Sequence, residues 1–150
     1  MATIAVIPGD GIGNEVIPAG IEVLEHLARR DGLSLQFEHF DLGAERYLRD
    51  GTTMPPELME RFRSEFDAVY LGALGDPRVP SNVHAKDILL GMRFQLDLYI
   101  NLRPIQLLNE RYCPLKDKTP EDIDMVVFRE NTEGLYTGVG GQFKRNTPDE

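Results

Sequence analysis

Three arginines and a tyrosine in the last third of the chain have the types and spacing to do chemistry: Arg93, Arg103, Arg129 and Tyr136, in the strings GMRFQLDLYINLRP and VVFRENTEGLYTG. A guanidinium presents a planar fork of donors that pairs bidentately with a carboxylate, which a lysine ammonium cannot do. A tyrosine beside such a cluster is a candidate proton donor. The chain is otherwise acidic, with 25 Asp and Glu against 16 Lys and Arg, so arginines set in apolar, strand-like surroundings imply a ligand bearing several carboxylates. Plainer readings compete. Arg93 alone reads as an exposed helix arginine, and Arg103 and Arg129 could be structural ion pairs, since arginine is rarely buried unpaired. Their co-occurrence with RENTEGLY, where polar side chains and Gly134 interrupt a strand just before Tyr136, favours binding.

The elements that must position these groups alternate between strand and helix. Thr3 to Ile7 is a short apolar run ending in ProGlyAspGly, as a buried strand entering a turn does. A helix is predicted from about Asn14 to Arg30, with Val16, Ile17, Ile21, Leu24, Leu27 and Ala28 at near-helical spacing and Asp31-Gly32 as a stop. Leu33 to Phe40 alternates as a strand, Ala44 to Arg49 and Pro55 to Ser64 read as short helices, and Asp67 to Leu71 as a buried strand. After the Gly/Pro-rich loop LGALGDPRVPSN come a helix over Asp87 to Gln95 and strands over Tyr99 to Leu107 and Asp124 to Arg129. This alternation predicts an α/β fold with mainly parallel pairing.

Two glycine loops, GDGIG and LGALGDP, follow predicted strands at their C-terminal ends, where α/β sheets bind ligands. Gly9, Gly11 and Gly13 give G-x-G-x-G and not the dinucleotide fingerprint G-x-G-x-x-G, so GDGIG reads equally as a tight structural turn or a ligand loop. His26, His39 and His84 (the last in a loop) have no metal-ligand spacing, and each is expected to be structural or solvated. Cys113 has no paired motif and reads as a bystander. No metal ligand is identified.

Composition limits the alternatives. A net charge of -9 argues against nucleic acid as partner, which requires a clustered basic stripe. No apolar run approaches the roughly 18 residues of a membrane span, so no membrane association is expected. The lone cysteine cannot form an internal disulfide and suits a reducing, cytoplasmic setting. The polar ending GQFKRNTPDE, just after the densest motif, suggests a chain that stops partway through a longer enzyme.

Taken together, IAVIPGDGIGNEV, DAVYLGALGDP, LLGMRFQLDLYINLRP and VVFRENTEGLYTG resemble, in order and spacing from Ile4 to Gly141, the N-terminal part of the β-decarboxylating dehydrogenases. That family comprises 3-isopropylmalate, isocitrate, homoisocitrate and tartrate/D-malate dehydrogenases. The resemblance implies an isopropylmalate dehydrogenase-like two-domain α/β fold, distinct from the standard Rossmann arrangement. Residues 1–99 would open the large cofactor-binding domain and 100–150 the second, substrate and dimerisation domain. It further implies that Arg93, Arg103 and Arg129 grip the carboxylates of a 2-hydroxy acid, and that Tyr136 protonates the enolate left by decarboxylation. The loop Gly72, Ala73, Leu74, Gly75, Asp76 and Pro77 would lie beside the nicotinamide end of NAD. Mg2+ or Mn2+ would polarise the hydroxyl and then the carbonyl, on ligands that in the family lie further along the chain, as does its catalytic lysine. A homodimer or larger homo-oligomer is implied.

Substrate choice in the family is set just ahead of the first arginine. Leu89 and Leu90 match the apolar pair that cradles an isopropyl group, whereas Lys86 stands where isopropylmalate enzymes usually carry Glu. The Ser and Asn typical of isocitrate enzymes are replaced by Asp87 and Leu89. The resemblance therefore favours 3-isopropylmalate, and with it leucine biosynthesis, over D-malate, tartrate or isocitrate. A non-catalytic regulatory relative is disfavoured by retention of Tyr136 and all three arginines, and a small stand-alone acid-binding domain by the unfinished sheet.

Overall fold

A computed structural model describes residues 1–149, and of Tyr136 the backbone only. The chain divides into two compact units, Met1–Leu96 and Asp97–Glu150.

In the first unit, β1 (Ala2–Gly9), β2 (Leu35–His39) and β3 (Ala68–Ala73) form a parallel sheet in the order β2-β1-β3. The central strand is buried because both of its faces are covered. Ala5, Val6 and Ile7 are fully inaccessible, as expected of an apolar run in a parallel sheet. Successive side chains point to opposite faces. Ala5 and Ile7 join Leu42, Leu58, Met59, Phe62, Ile88 and Met92 in one core, which draws on α3 (Pro56–Ser64) and α4 (Val83–Gln95). The other face receives α1 (Gly13–Asp31), whose Ile17 comes up to Gly72 and whose Gly20 leaves room for the Tyr70 hydroxyl. Helix α2 (Ala44–Asp50) follows β2. Helix α1 stops at Gly32, in the left-handed conformation that the Asp31-Gly32 pair predicts.

The second unit contains β4 (Ile100–Gln106) and β5 (Asp124–Glu130), which pair antiparallel. The mainly parallel pairing read from the alternation thus holds for the first unit and fails here. Among the described residues only two single-turn 3-10 segments, Glu110–Tyr112 and Pro120–Asp122, lie between these two strands; a parallel return requires a longer crossover, whereas an antiparallel ribbon does not.

Two local differences have physical causes. Helix α4 begins at Val83 and not near Asp87: Asn82 stands at its N-cap in a left-handed conformation, and the Asn82 side chain makes no cap bond but accepts from the Asp76 N–H. Pro18 lies inside α1 and has no N–H to donate to the carbonyl of Asn14 four residues earlier, at an exposed position.

Candidate active site

In the first unit, β1 leads into α1 on one face of the sheet and β3 leads towards α4 on the other. That reversal is a topological switch point, and α/β sheets bind ligands outside the strand ends there. Both glycine loops lie at it, and they meet backbone to backbone. Gly9 has φ +74, and a Cβ on it would fall 2.0 Å from the Ala73 carbonyl oxygen; one on Gly72 would fall 2.2 Å from the Pro8 carbonyl. Close approach of two chains is one of the uses of glycine, so GDGIG has at least a structural task.

Asp10, 5% exposed, sits at the centre of this junction. Its Oδ1 accepts from the Ala44 N–H at 2.6 Å, at the start of α2. Its Oδ2 accepts from the Gly75 N–H at 2.7 Å and lies 2.7 Å from His84 Nε2, in the first turn of α4. Burial pushes this carboxyl up, but the Ala44 and Gly75 amides and His84 together hold it below its ordinary value. His84 is therefore neither in a loop nor solvated: it is fully buried in α4 and bonded to a carboxylate. The sequence reading missed Asp10. Its signal was an aspartate between two glycines at the end of a buried strand, where a carboxylate must find donors.

The loop predicted to face NAD is further tied down. The Asp76 N–H donates to Asn82 Oδ1 at 3.0 Å, and the Asp76 carboxylate accepts from Arg78 through both Nε and the backbone N–H. Arg78 also pairs with Glu45 of α2. The Arg78 side chain, then its amide, holds the Asp76 carboxyl down at about 2.

On α4 the residues expected to select substrate recur as one row. Lys86, Leu89, Leu90 and Arg93 are spaced i, i+3, i+4 and i+7. That row is opposite the buried row of His84, Ile88 and Met92. Lys86 is exposed, Leu89 is 40% exposed, and Leu90 and Arg93 are half-buried. Lys86 and Leu90 also line a groove of about 370 Å³ with Met54 and Phe94.

In the second unit, pairing puts Arg103 opposite Val127 and Arg129 opposite Asn101. Since paired residues share a face, Arg103 and Arg129 stand on the same side of the ribbon as diagonal neighbours. Arg103 Nε donates to Asn101 Oδ1 at 2.6 Å, which orients the guanidinium along that face. Glu130, at the end of β5, folds the chain that follows. Its carboxylate accepts from the Thr132 N–H and hydroxyl and from the Glu133 N–H, each at 2.7 Å. The Thr132 amide dominates in holding the Glu130 carboxyl down at about 2. The turn leads into a short 3-10 segment, Gly134–Tyr136. The side chain of Tyr136 lies outside the described residues. Arg93 belongs to the first unit, so the four residues of the candidate cluster are divided between the two.

Among the described residues no group of three or more His, Cys, Asp or Glu side chains could hold a metal ion, and no helix is long and apolar enough to cross a membrane.

A parallel α/β unit with glycine loops at its switch point, followed by a ribbon bearing two arginines on one face, is a mixed helix and strand fold that matches solved structures of the isocitrate/isopropylmalate dehydrogenase type. The chain belongs to the isocitrate/isopropylmalate dehydrogenase family, which it matches over residues 3–150. It is 52% identical over 148 residues to the 3-isopropylmalate dehydrogenase of Bifidobacterium longum (strain DJO10A), covering 98% of this chain and 42% of that protein. It is 46% identical over 149 residues to the D-malate dehydrogenase [decarboxylating] of Escherichia coli (strain K12), covering 98% and 41%. The crystal structure of a β-decarboxylating dehydrogenase from Thermococcus kodakarensis, in its apo form, superposes with a TM-score of 0.66 at 33% identity, covering 97% of this chain and 38% of that one. The chain thus spans about two-fifths of the length of the curated relatives it matches.

Proposed function

We propose that this chain supplies the carboxylate grip and the final proton in an NAD-dependent oxidative decarboxylation of a 2-hydroxy acid with a β-carboxylate, with 3-isopropylmalate as the substrate. The observation that carries the reading is the placement of Arg103 and Arg129 on one face of the β4–β5 ribbon, in a chain of this family. Two guanidiniums side by side suit a ligand with two carboxylates, each able to accept a bidentate pair. Arg93 is assigned to the same substrate, with Leu89 and Leu90 beside its branched apolar group and Lys86 at the edge of the row.

Residues 72–77 are assigned to the nicotinamide end of the cofactor. Gly75 fits this role: among the described residues, its two chain neighbours aside, Asn82 Oδ1 at 3.8 Å is the one atom within 4 Å of where its Cβ would be, and a planar ring could lie against the bare backbone. A nicotinamide held there would supply the hydride acceptor for the hydroxyl-bearing carbon. The chain's own residues then act on the acid. The arginines hold the carboxylates so that the one β to the new carbonyl can leave as CO2, its bonding electrons passing into the enolate, and the Tyr136 hydroxyl returns a proton to the enolate carbon. The described residues do not furnish a ligand set for Mg2+ or Mn2+, so no step is assigned to a metal on them. The homodimer, the cytoplasmic setting and the roles of the two units as cofactor and substrate domains belong to the same proposal.

Tyr136→Phe in the full-length protein tests it. Substrate binding is expected to persist while turnover falls by about 10²–10⁴. Near-normal turnover would remove Tyr136 from the role of proton donor.

One observation favours a second reading. Lys86 is exposed on the same row as Leu89, Leu90 and Arg93, where a cation suits an acid without an apolar branch, such as D-malate or tartrate. Assaying 3-isopropylmalate, D-malate, tartrate and isocitrate side by side decides between the two.

A further inference from the structure

His84 is an expensive residue to bury. Its ring is fully inaccessible, and its Nδ1 has no hydrogen-bond partner among the described residues. Because a carboxylate only accepts, the 2.7 Å contact with Asp10 Oδ2 puts a proton on Nε2 and leaves Nδ1 buried without a partner. The ring otherwise stacks on Tyr47, with centroids 6.1 Å apart and planes inclined by 26°. An apolar side chain would fill this space without the unsatisfied nitrogen, so packing alone does not account for a histidine here.

What the histidine adds is a second donor to a shared acceptor. The oxygen that faces Nε2 also accepts the Gly75 N–H at 2.7 Å. The loop after β3 and the first turn of α4 are thereby held on one atom. Between them the chain passes through Ser81 and Asn82, at φ 55 and 49, a left-handed pair that is costly for residues other than glycine. Such a connection persists where its surroundings over-determine it. Asn82 Oδ1, which accepts the Asp76 N–H, and the Asp10–His84 bond are two such constraints.

We propose that His84 is a positioning residue: through the shared Asp10 oxygen it registers the row Lys86, Leu89, Leu90 and Arg93 of α4 against the 72–77 loop. This rests on the assignment of that loop to the cofactor and of that row to the substrate. His84 touches neither ligand; it sets the distance between the surfaces that do.

Two substitutions in the full-length protein separate donation from packing. His84→Leu fills the space and removes the donor, whereas His84→Gln retains an N–H at similar reach. In His84→Leu the Gly75 amide is expected to exchange hydrogen about tenfold faster while the β1 amides keep their protection. KM for NAD is expected to rise about tenfold with kcat changed less than about threefold, and His84→Gln to restore both readouts to within about twofold of the parent. Wild-type Gly75 exchange in His84→Leu overturns the proposal, as do equal defects in the Leu and Gln variants, which mark a packing role. Faster Gly75 exchange in His84→Leu, rescued by Gln but without any change in KM for NAD, upholds the coupling and removes the cofactor assignment of the loop.

Discussion

Arg103 and Arg129 are diagonal neighbours on adjacent antiparallel strands, each facing the residue two positions from the other. Neither strand places them; only the register does. If both hold substrate carboxylates, Arg103→Ala in the full-length protein should lower kcat/KM for the hydroxy acid by roughly 10–150-fold, the equivalent of about 1.5–3 kcal/mol for a charged hydrogen bond. Arg103→Lys should recover only part of this loss, because an ammonium cannot pair bidentately. Steady-state kinetics check it, and full recovery by lysine would mean that a point charge suffices.

Asp10 joins the N-termini of α2 and α4 to the loop after β3, and removing it strands a buried N–H at Ala44 and a half-buried one at Gly75. Asp10→Ala should lower the unfolding free energy by about 3 kcal/mol, and Asp10→Asn by less, since one acceptor oxygen remains. Urea unfolding measures both. An alanine variant as stable as the parent would show that water replaces the carboxylate.

Gly9 and Gly32 both have left-handed φ, +74 and +69, yet only Gly9 faces a backbone oxygen, at 2.0 Å from a would-be Cβ. Gly32→Ala should therefore cost only the conformational penalty of about 1 kcal/mol. Gly9→Ala must also part β1 from β3, at a total of roughly 3 kcal/mol or more. Equal thermal shifts in the two variants would contradict the close approach.

The Glu130 carboxyl is held down at about 2 against an ordinary 4.5, chiefly by the Thr132 amide. A group with a depressed folded value stabilises the fold above its unfolded pKa and loses that contribution as pH falls through the folded one. The turn before Tyr136 should thus be fully held above about pH 4.5 and loosen between there and about pH 2. An NMR titration of the carboxyl carbon checks this directly, and Glu130→Gln should flatten that part of the pH–stability curve. A titration midpoint near 4.5 would refute it.

Much of the first unit could be read from short-range pattern. The apolar run Thr3–Ile7, the helical spacing of Ile17, Ile21, Leu24 and Ala28, and the Asp31-Gly32 stop each encode an element through its own period or its own turn residue. The order and spacing of the four long motifs sufficed for the family, and with it the expectation of arginines gathered for carboxylates. Other features depend on partners remote in sequence. His84 looked like a loop histidine because the group that draws it into the core is 74 residues away. GDGIG placed an aspartate at the end of a buried strand but could not name its partners, since the donors come from Ala44, Gly75 and His84, far along the chain. The antiparallel turn of the second sheet, and so the common face of Arg103 and Arg129, likewise followed from strand pairing. Local periodicity specifies elements because it is a property of one segment; register and shared acceptors belong to pairs of segments, and only the tertiary structure selects them.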